Sequence, residues 1–178
     1  METRLLLFAL MIFPAAVTGS AAASIGNAGK LETSIDQLRY VAGEWSVATE
    51  ELTADGAIAR TLEGSYTFDW VIPDRVLSGR SEIPEVNRVS AVLFYVNETQ
   101  EKIEMVSVGA DGRLWVMSGK LGEETRYTEP FATQDGGTAQ LRFTRYNVRT
   151  DTFESKMEYS EDGGKSWMPG NHQTFIRR

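Results

Sequence analysis

The residues that could do chemistry in this sequence are few and well separated. Leu141, Phe143 and Arg145 share one face of a strand-like segment. If the two apolar residues face a core, Arg145 is carried to an apolar interior, where an unpaired charge is costly. There it needs an aromatic ring, an acid or the carboxylate of a ligand, and the alternative is a place at the wet rim. Tyr66 and Tyr159 sit on the apolar faces of their own segments and bring hydroxyls toward the same interior. A buried Arg145 beside either tyrosine in an open cavity is what an isomerase or cyclase would need. His172 is the sole histidine and follows the turn Pro169-Gly170-Asn171, a setting typical of a surface residue. It shares a face with Thr174 and Ile176, opposite Phe175 and Arg177, and the strand itself does not say which face is inward.

Other chemistries lack their residues. Glu63, Asp69, Glu104, Glu154 and Glu158 all alternate away from the apolar faces, so no carboxylate pair for acid/base work is expected inside. There is no Gly-rich phosphate loop, metal-ligand spacing or nucleophile elbow, and no cofactor is expected. With no cysteine, a thiolate metal site, a thiol nucleophile and a disulfide are all excluded. A net charge of -7 without a basic cluster argues against nucleic acid and anionic lipid surfaces as partners. Asn97-Glu98-Thr99 matches a glycosylation sequon, and a turn between two strands explains it better.

These residues need a scaffold, and the sequence divides into three parts. Residues 1–23 read as a secretory leader: Arg4, the apolar run Leu5 to Phe13, then small residues ending Ala21-Ala22-Ala23. The run is far short of a bilayer span, so an exported, soluble protein is expected, periplasmic or extracellular. Residues 24–34, small and polar, read as a flexible tether. Residues 35–178 form one domain. It opens with a short helix, Ile35 to Ala42, capped by Ser34 and carrying Ile35, Leu38, Val41 and Ala42 at helical spacing.

From Gly43 on, the apolar period becomes two. Leu62, Gly64, Tyr66, Phe68 and Trp70 take one face, and Thr61, Glu63, Ser65, Thr67 and Asp69 the other. Further strands are expected at Val76 to Glu82, Ser90 to Val96, Lys102 to Val108, Leu114 to Leu121, Arg126 to Phe131, Ala139 to Asn147, Phe153 to Tyr159 and Lys165 to Arg177. Asp-Gly turns at Asp55, Asp111, Asp135 and Asp162 join several of them. About ten antiparallel strands with short loops close most economically into a meander barrel, which leaves no open edge. The expected fold class is therefore all-β, an antiparallel meander barrel of about ten strands with one short N-terminal helix.

Taking each apolar face as inward, the interior receives Tyr66, Phe68, Trp70, Met105, Ser107, Trp115, Met117, Leu141, Phe143, Phe153, Ser155, Met157 and Tyr159. Aromatics, methionines and a few hydroxyls suit a ligand pocket; they also suit a simply filled barrel. The candidate ligand-binding set is Tyr66, Trp70, Trp115, Met117, Arg145, Met157 and Tyr159. Ser90 to Val96 is apolar on both faces, which fits a homodimer surface or coverage by the helix. Burial of Val92, Phe94 and Val96 within one chain removes the interface reading.

The octet Ser160-Glu161-Asp162-Gly163-Gly164-Lys165-Ser166-Trp167 resembles the Asp-box of sialidase propellers and other β proteins, where Ser and Asp side chains tie down the turn and Trp packs under it. It occurs once, without propeller repeats, so a structural role is expected. Together with the helical lead-in, Gly43-x-Trp45, the hairpin meander and Arg177, it makes Ile35 to Arg178 similar to the DUF1579 family of exported or cytoplasmic bacterial domains. That resemblance implies a lipocalin-like (calycin) barrel and no assigned activity. It also implies that Trp45 closes one end of the barrel under Arg177 or Arg145, a cation–π contact worth ~0.5–2 kcal/mol. Lipocalins have eight strands, so about ten leaves the wider fatty-acid-binding-protein or nitrobindin type open. By resemblance to nitrobindins, a histidine near the C-terminus holds haem iron, which makes His172 a haem-ligand candidate.

The sequence thus points to a small apolar or amphipathic molecule as the partner, bound inside a barrel. A filled barrel acting as a protein-interaction module is the second reading, and a barrel enzyme or haem binder the third.

Overall fold

A computed structural model describes residues 21–178, with side chains described from residue 28 onward. The expected leader lies almost wholly outside the described residues. The first element is α1 (Ala21–Val41), followed by β1 (Gly43–Leu52), β2 (Ile58–Ile72), β3 (Val76–Ile83), a 3-10 turn (Pro84–Val86) and β4 (Arg88–Asn97). Next come β5 (Lys102–Gly109), β6 (Leu114–Lys120), β7 (Thr125–Thr128), β8 (Phe131–Ala132), β9 (Thr138–Tyr146), β10 (Thr152–Ser160) and β11 (Met168–Arg177).

All strand pairs are antiparallel, and the sheet returns on itself. From β1 through β7 each strand pairs with its sequence neighbour, β7 pairs with β9, β9 with β10, β10 with β11, and β11 with β1. Ten strands therefore close the barrel, and β8 adds a two-residue ladder on β9. Closure satisfies the backbone groups that an open sheet would leave at its edges. The Asp-Gly turns work through backbone conformation: Gly56, Gly112, Gly136 and Gly163 all have positive φ, which glycine adopts without steric cost.

The expected tether is helical instead. α1 begins before residue 24 and runs through it to Val41. Its small and polar residues predict a flexible segment, yet Leu31 packs against the core, and tertiary packing overrides weak propensity. Ser34, expected as the cap, lies inside the helix, fully buried, and its Oγ accepts the Gly122 N–H at 2.8 Å. Ile35, Leu38 and Val41 carry the helix's apolar stripe into the core.

The helix ends where Gly43 takes φ 122°. A Cβ there would lie 2.9 Å from an Arg177 guanidinium nitrogen. Arg177 donates to the carbonyls of Ala42 (3.0 Å) and Tyr40 (2.7 Å), and its guanidinium carbon lies 4.2 Å from the Trp45 ring centre. Trp45 is fully buried, donates from Nε1 to Val41 O at 2.8 Å, and meets Phe153 edge-on. One arginine thus joins the helix end, the first strand and the last strand, and Arg177 rather than Arg145 covers Trp45.

The Ser160–Trp167 octet is a built turn. The Asp162 carboxylate accepts from the Lys165 and Ser166 N–H groups at 2.9 Å and from Ser166 Oγ at 2.6 Å. Ser160 Oγ accepts the Gly164 N–H at 2.8 Å, and Trp167 Nε1 donates to Gly164 O at 3.1 Å. The Arg142 guanidinium stacks over the Trp167 ring at 4.2 Å.

Candidate functional site

Strand alternation brings one residue in two to the barrel axis, and the inward set does not fill the space. A cavity of about 340 Å³ remains. This is within the size range of small-molecule pockets. Leu38 and Val41 of α1 wall it at the helix end, and Phe68, Phe94, Met105, Met117, Phe143, Phe153 and Phe175 supply aromatic and thioether surface from seven strands. Hydroxyls and amides are scattered among them: Thr49, Ser81, Ser90, Ser107, Asn171 and Gln173.

Of the seven residues expected to bind a ligand, Tyr66, Trp115, Met117, Arg145 and Met157 line this cavity together. Trp70 and Tyr159 do not. Both share the alternation of their strands, but Trp70 is half-buried where β2 meets Leu77 of β3 through an irregular register. Tyr159 is half-buried near the end of β10, opposite Leu141 and Met168. Position along the strand, which alternation ignores, takes them out of the cavity wall.

Arg145 is buried, at 5% exposure, and has found its acid. Its Nε and Nη2 donate to both carboxylate oxygens of Glu124 at 2.8 and 2.7 Å, and Nη1 donates to the Gln37 carbonyl of α1 at 3.1 Å. Its aromatic neighbours are Tyr40 and Phe153, each 5.7 Å from the guanidinium carbon. Tyr66 instead packs on Phe68 and Phe175, so the arginine–tyrosine pairing expected of a barrel isomerase has other partners on both sides. Of the partners expected for Arg145, the acid is the one it has, and Glu124 leaves its guanidinium engaged rather than open to a ligand carboxylate.

The residue that sequence reasoning missed is Arg126, in β7. It is 3% exposed, lines the cavity, and its Nε has no hydrogen-bond partner among the described residues. The guanidinium carbon lies 5.5 Å from the Phe94 ring centre and 5.9 Å from that of Phe143. Burial pulls its pKa down to about 10, with the charge of Arg145 pushing the same way and Glu124 offsetting in part. It still carries its charge at neutral pH. Gly119 of β6 makes room for it: a Cβ at Gly119 would lie 2.3 Å from the Thr125 carbonyl and 3.2 Å from Arg126 Cγ. Arg126 stands opposite Phe143 in the β7–β9 ladder, and that register is the one signal that places it inside.

His172 lies on the outer face of β11. Its Nδ1 is 2.9 Å from Glu50 Oε2 and its Nε2 is 3.1 Å from Glu154 Oε2. Both ring nitrogens are engaged outside the barrel while Gln173 and Phe175 face the cavity, so the haem-ligand expectation for His172 is corrected. Among the described residues no group of three or more His, Cys, Asp or Glu is placed to hold a metal ion.

In β4, Phe94 and Val96 are buried and Val92 is half-buried against the core, so the inner face of this strand belongs to the monomer. Its outer face differs. Leu93 pairs with Val106, Val106 with Val116 and Val108 with Leu114, and Leu93, Val108, Leu114 and Val116 are exposed.

Fold and cavity together define a closed ten-stranded antiparallel barrel with an unfilled, predominantly apolar interior. Comparison with solved structures finds chains of similar outline at low identity. EF1p2_mFAP2b bound to DFHBI is 16% identical, with 82% of this chain and 98% of that chain covered and a TM-score of 0.40. A redesigned beta barrel, b11L5F_LGL, is 14% identical over 79% and 94%, with a TM-score of 0.40. The S-type phycobiliprotein lyase CPES from Guillardia theta is 11% identical over 85% and 97%, with a TM-score of 0.48. No protein-family model and no curated protein matches the sequence.

Proposed function

We propose that the protein reversibly binds a small apolar or amphipathic molecule inside its barrel. The observation that carries this reading is the unfilled cavity of about 340 Å³. Protein interiors are normally packed to crystal-like density, and a void of this size forfeits contact energy unless something occupies it. Its wall supplies aromatic faces, adaptable methionines and a few dispersed hydroxyls and amides, the composition that holds an apolar body and orients its polar end.

Export through the leader at residues 1–23, and membership of the DUF1579 family, belong to the same proposal. The first is supported by the charged, apolar and small-residue succession of that segment; the second by Gly43-x-Trp45, the Asp162-Gly163-Gly164-Lys165-x-Trp167 turn and Arg177. A second reading, association with a protein or a second copy of this chain, is favoured by the apolar outer face of β4, β5 and β6.

The test is mass spectrometry of the protein purified from its own compartment under native and denaturing conditions, with analysis of an organic extract. A small molecule released in stoichiometric amount is the expected result. A native mass equal to that of the bare chain, with an empty extract, contradicts it. A native dimer of otherwise bare chains favours the second reading.

A further inference from the structure

The cavity wall has a charge of its own. It includes Arg88, Arg126 and Arg145 and neither an aspartate nor a glutamate, in a chain whose net charge is -7. Two of these arginines are matched from behind the wall. Arg145 holds Glu124 through both of its oxygens, and Arg88, exposed, reaches Glu51 at 3.4 Å. Arg126 has neither an ion pair nor a side-chain hydrogen bond among the described residues. It is also the most deeply buried of the three.

Such a residue is unfavourable in the empty protein. Transferring a guanidinium into an apolar wall loses hydration that two aromatic faces only partly replace. A methionine or leucine would fill the same space without that penalty. The unmatched charge becomes favourable when an anion enters: a guanidinium donates two parallel hydrogen bonds to a carboxylate in one plane, and the low dielectric strengthens them. Because Glu124 is fully engaged by Arg145, one positive charge remains at this part of the wall, and one negative charge balances it. Gln37 Oε1, also on the cavity wall and without a hydrogen-bond partner among the described residues, remains open to a donor on a ligand.

We infer that the molecule held in the cavity is an amphipathic acid, an apolar body bearing a single anionic group such as a carboxylate, and that Arg126 is the residue that binds this group. The inference rests on the cavity being a binding site. It adds the chemical class of the ligand and assigns the anchor to β7 rather than to Arg145.

The test uses the full chain and two fluorescent probes that share their ring system, anilinonaphthalene sulfonate and the neutral N-phenylnaphthylamine. The wild type is expected to bind the sulfonate at least about thirtyfold more tightly than the neutral probe. Arg126→Met is expected to abolish that preference, keep the affinity for the neutral probe, and raise the Tm of the unliganded protein. A merely structural arginine gives the opposite Tm shift. Arg126→Lys keeps the charge without the planar fork and retains part of the preference, which provides a readout should the methionine variant fold poorly. Arg80→Gln, outside the cavity and paired with Glu82, leaves the preference unchanged. In the wild type the preference declines as the pH rises through about 10, where Arg126 loses its proton.

Equal affinities in the wild type, or a preference that survives Arg126→Met, overturn the inference. Binding of the neutral probe alone overturns it while leaving the cavity as a binding site. Binding of neither probe overturns both.

Discussion

Arg126 and Arg145 enter the barrel from neighbouring strands, β7 and β9, and only Arg145 holds a carboxylate. Burial lowers the pKa of Arg126, and the charge of Arg145 lowers it further. Glu124 stands between these effects: it satisfies one arginine and partly offsets the other. The result is a wall that is stable enough to fold and still electrostatically incomplete.

Glu124→Gln separates these roles. Arg145 loses its charged partner while buried, which costs about 2–4 kcal/mol after allowing for the part of Glu124 that remains in water. Chemical denaturation should show that loss. The same variant leaves two unmatched cations, so its preference for the anionic probe over the neutral one should increase rather than fall.

The latch at the other junction is structural. Arg177→Ala removes the stacking on Trp45 and two bonds to helix-end carbonyls, a loss of about 2–3 kcal/mol. Denaturation should report it, with a change in Trp45 fluorescence in the native baseline. Binding of either probe to the remaining folded protein should be unchanged.

The latch was anticipated only through the resemblance, which left Arg177 and Arg145 open over Trp45, because the contact joins the first and last strands. The Asp-Gly turns were legible because their requirement is local, a residue that takes positive φ without steric cost, and with them the meander and its closure. Arg126 was not. β7 is four residues long, and its apolar residue, Tyr127, is the one that faces outward toward Trp167. Alternation alone therefore reads this strand inside out, and only pairing with Phe143, which lies 17 residues away in the chain, corrects it. Trp70 and Tyr159 miss the cavity because they stand toward the ends of β2 and β10, and His172 faces away because Gln173 and Phe175 take the inner face of β11.

The Asp162 turn gives a pH test. Its carboxyl is held well below the ordinary value of 3.8, first by the Ser166 hydroxyl and then by backbone N–H groups and Ser160. A carboxylate with a depressed folded-state pKa stabilises above its unfolded pKa, and that contribution is lost as the pH falls through the folded value. Asp162→Asn should therefore lower Tm by a constant amount from neutral pH down to about 4, and the deficit should shrink below that. A deficit independent of pH down to strong acid would mean that the turn depends on side-chain shape rather than on charge.

The central claim is that the barrel interior is an accommodating space rather than a packed core. The measurement that tests it most directly is a titration of wild type and Ser107→Trp with N-phenylnaphthylamine. Ser107 lines the cavity between Val92 and Trp115, and an indole there fills it at a tolerable cost of about 1–3 kcal/mol. One saturable site in the wild type, lost in the folded variant, is the predicted result; binding that is unsaturable, or equal in both proteins, contradicts the account.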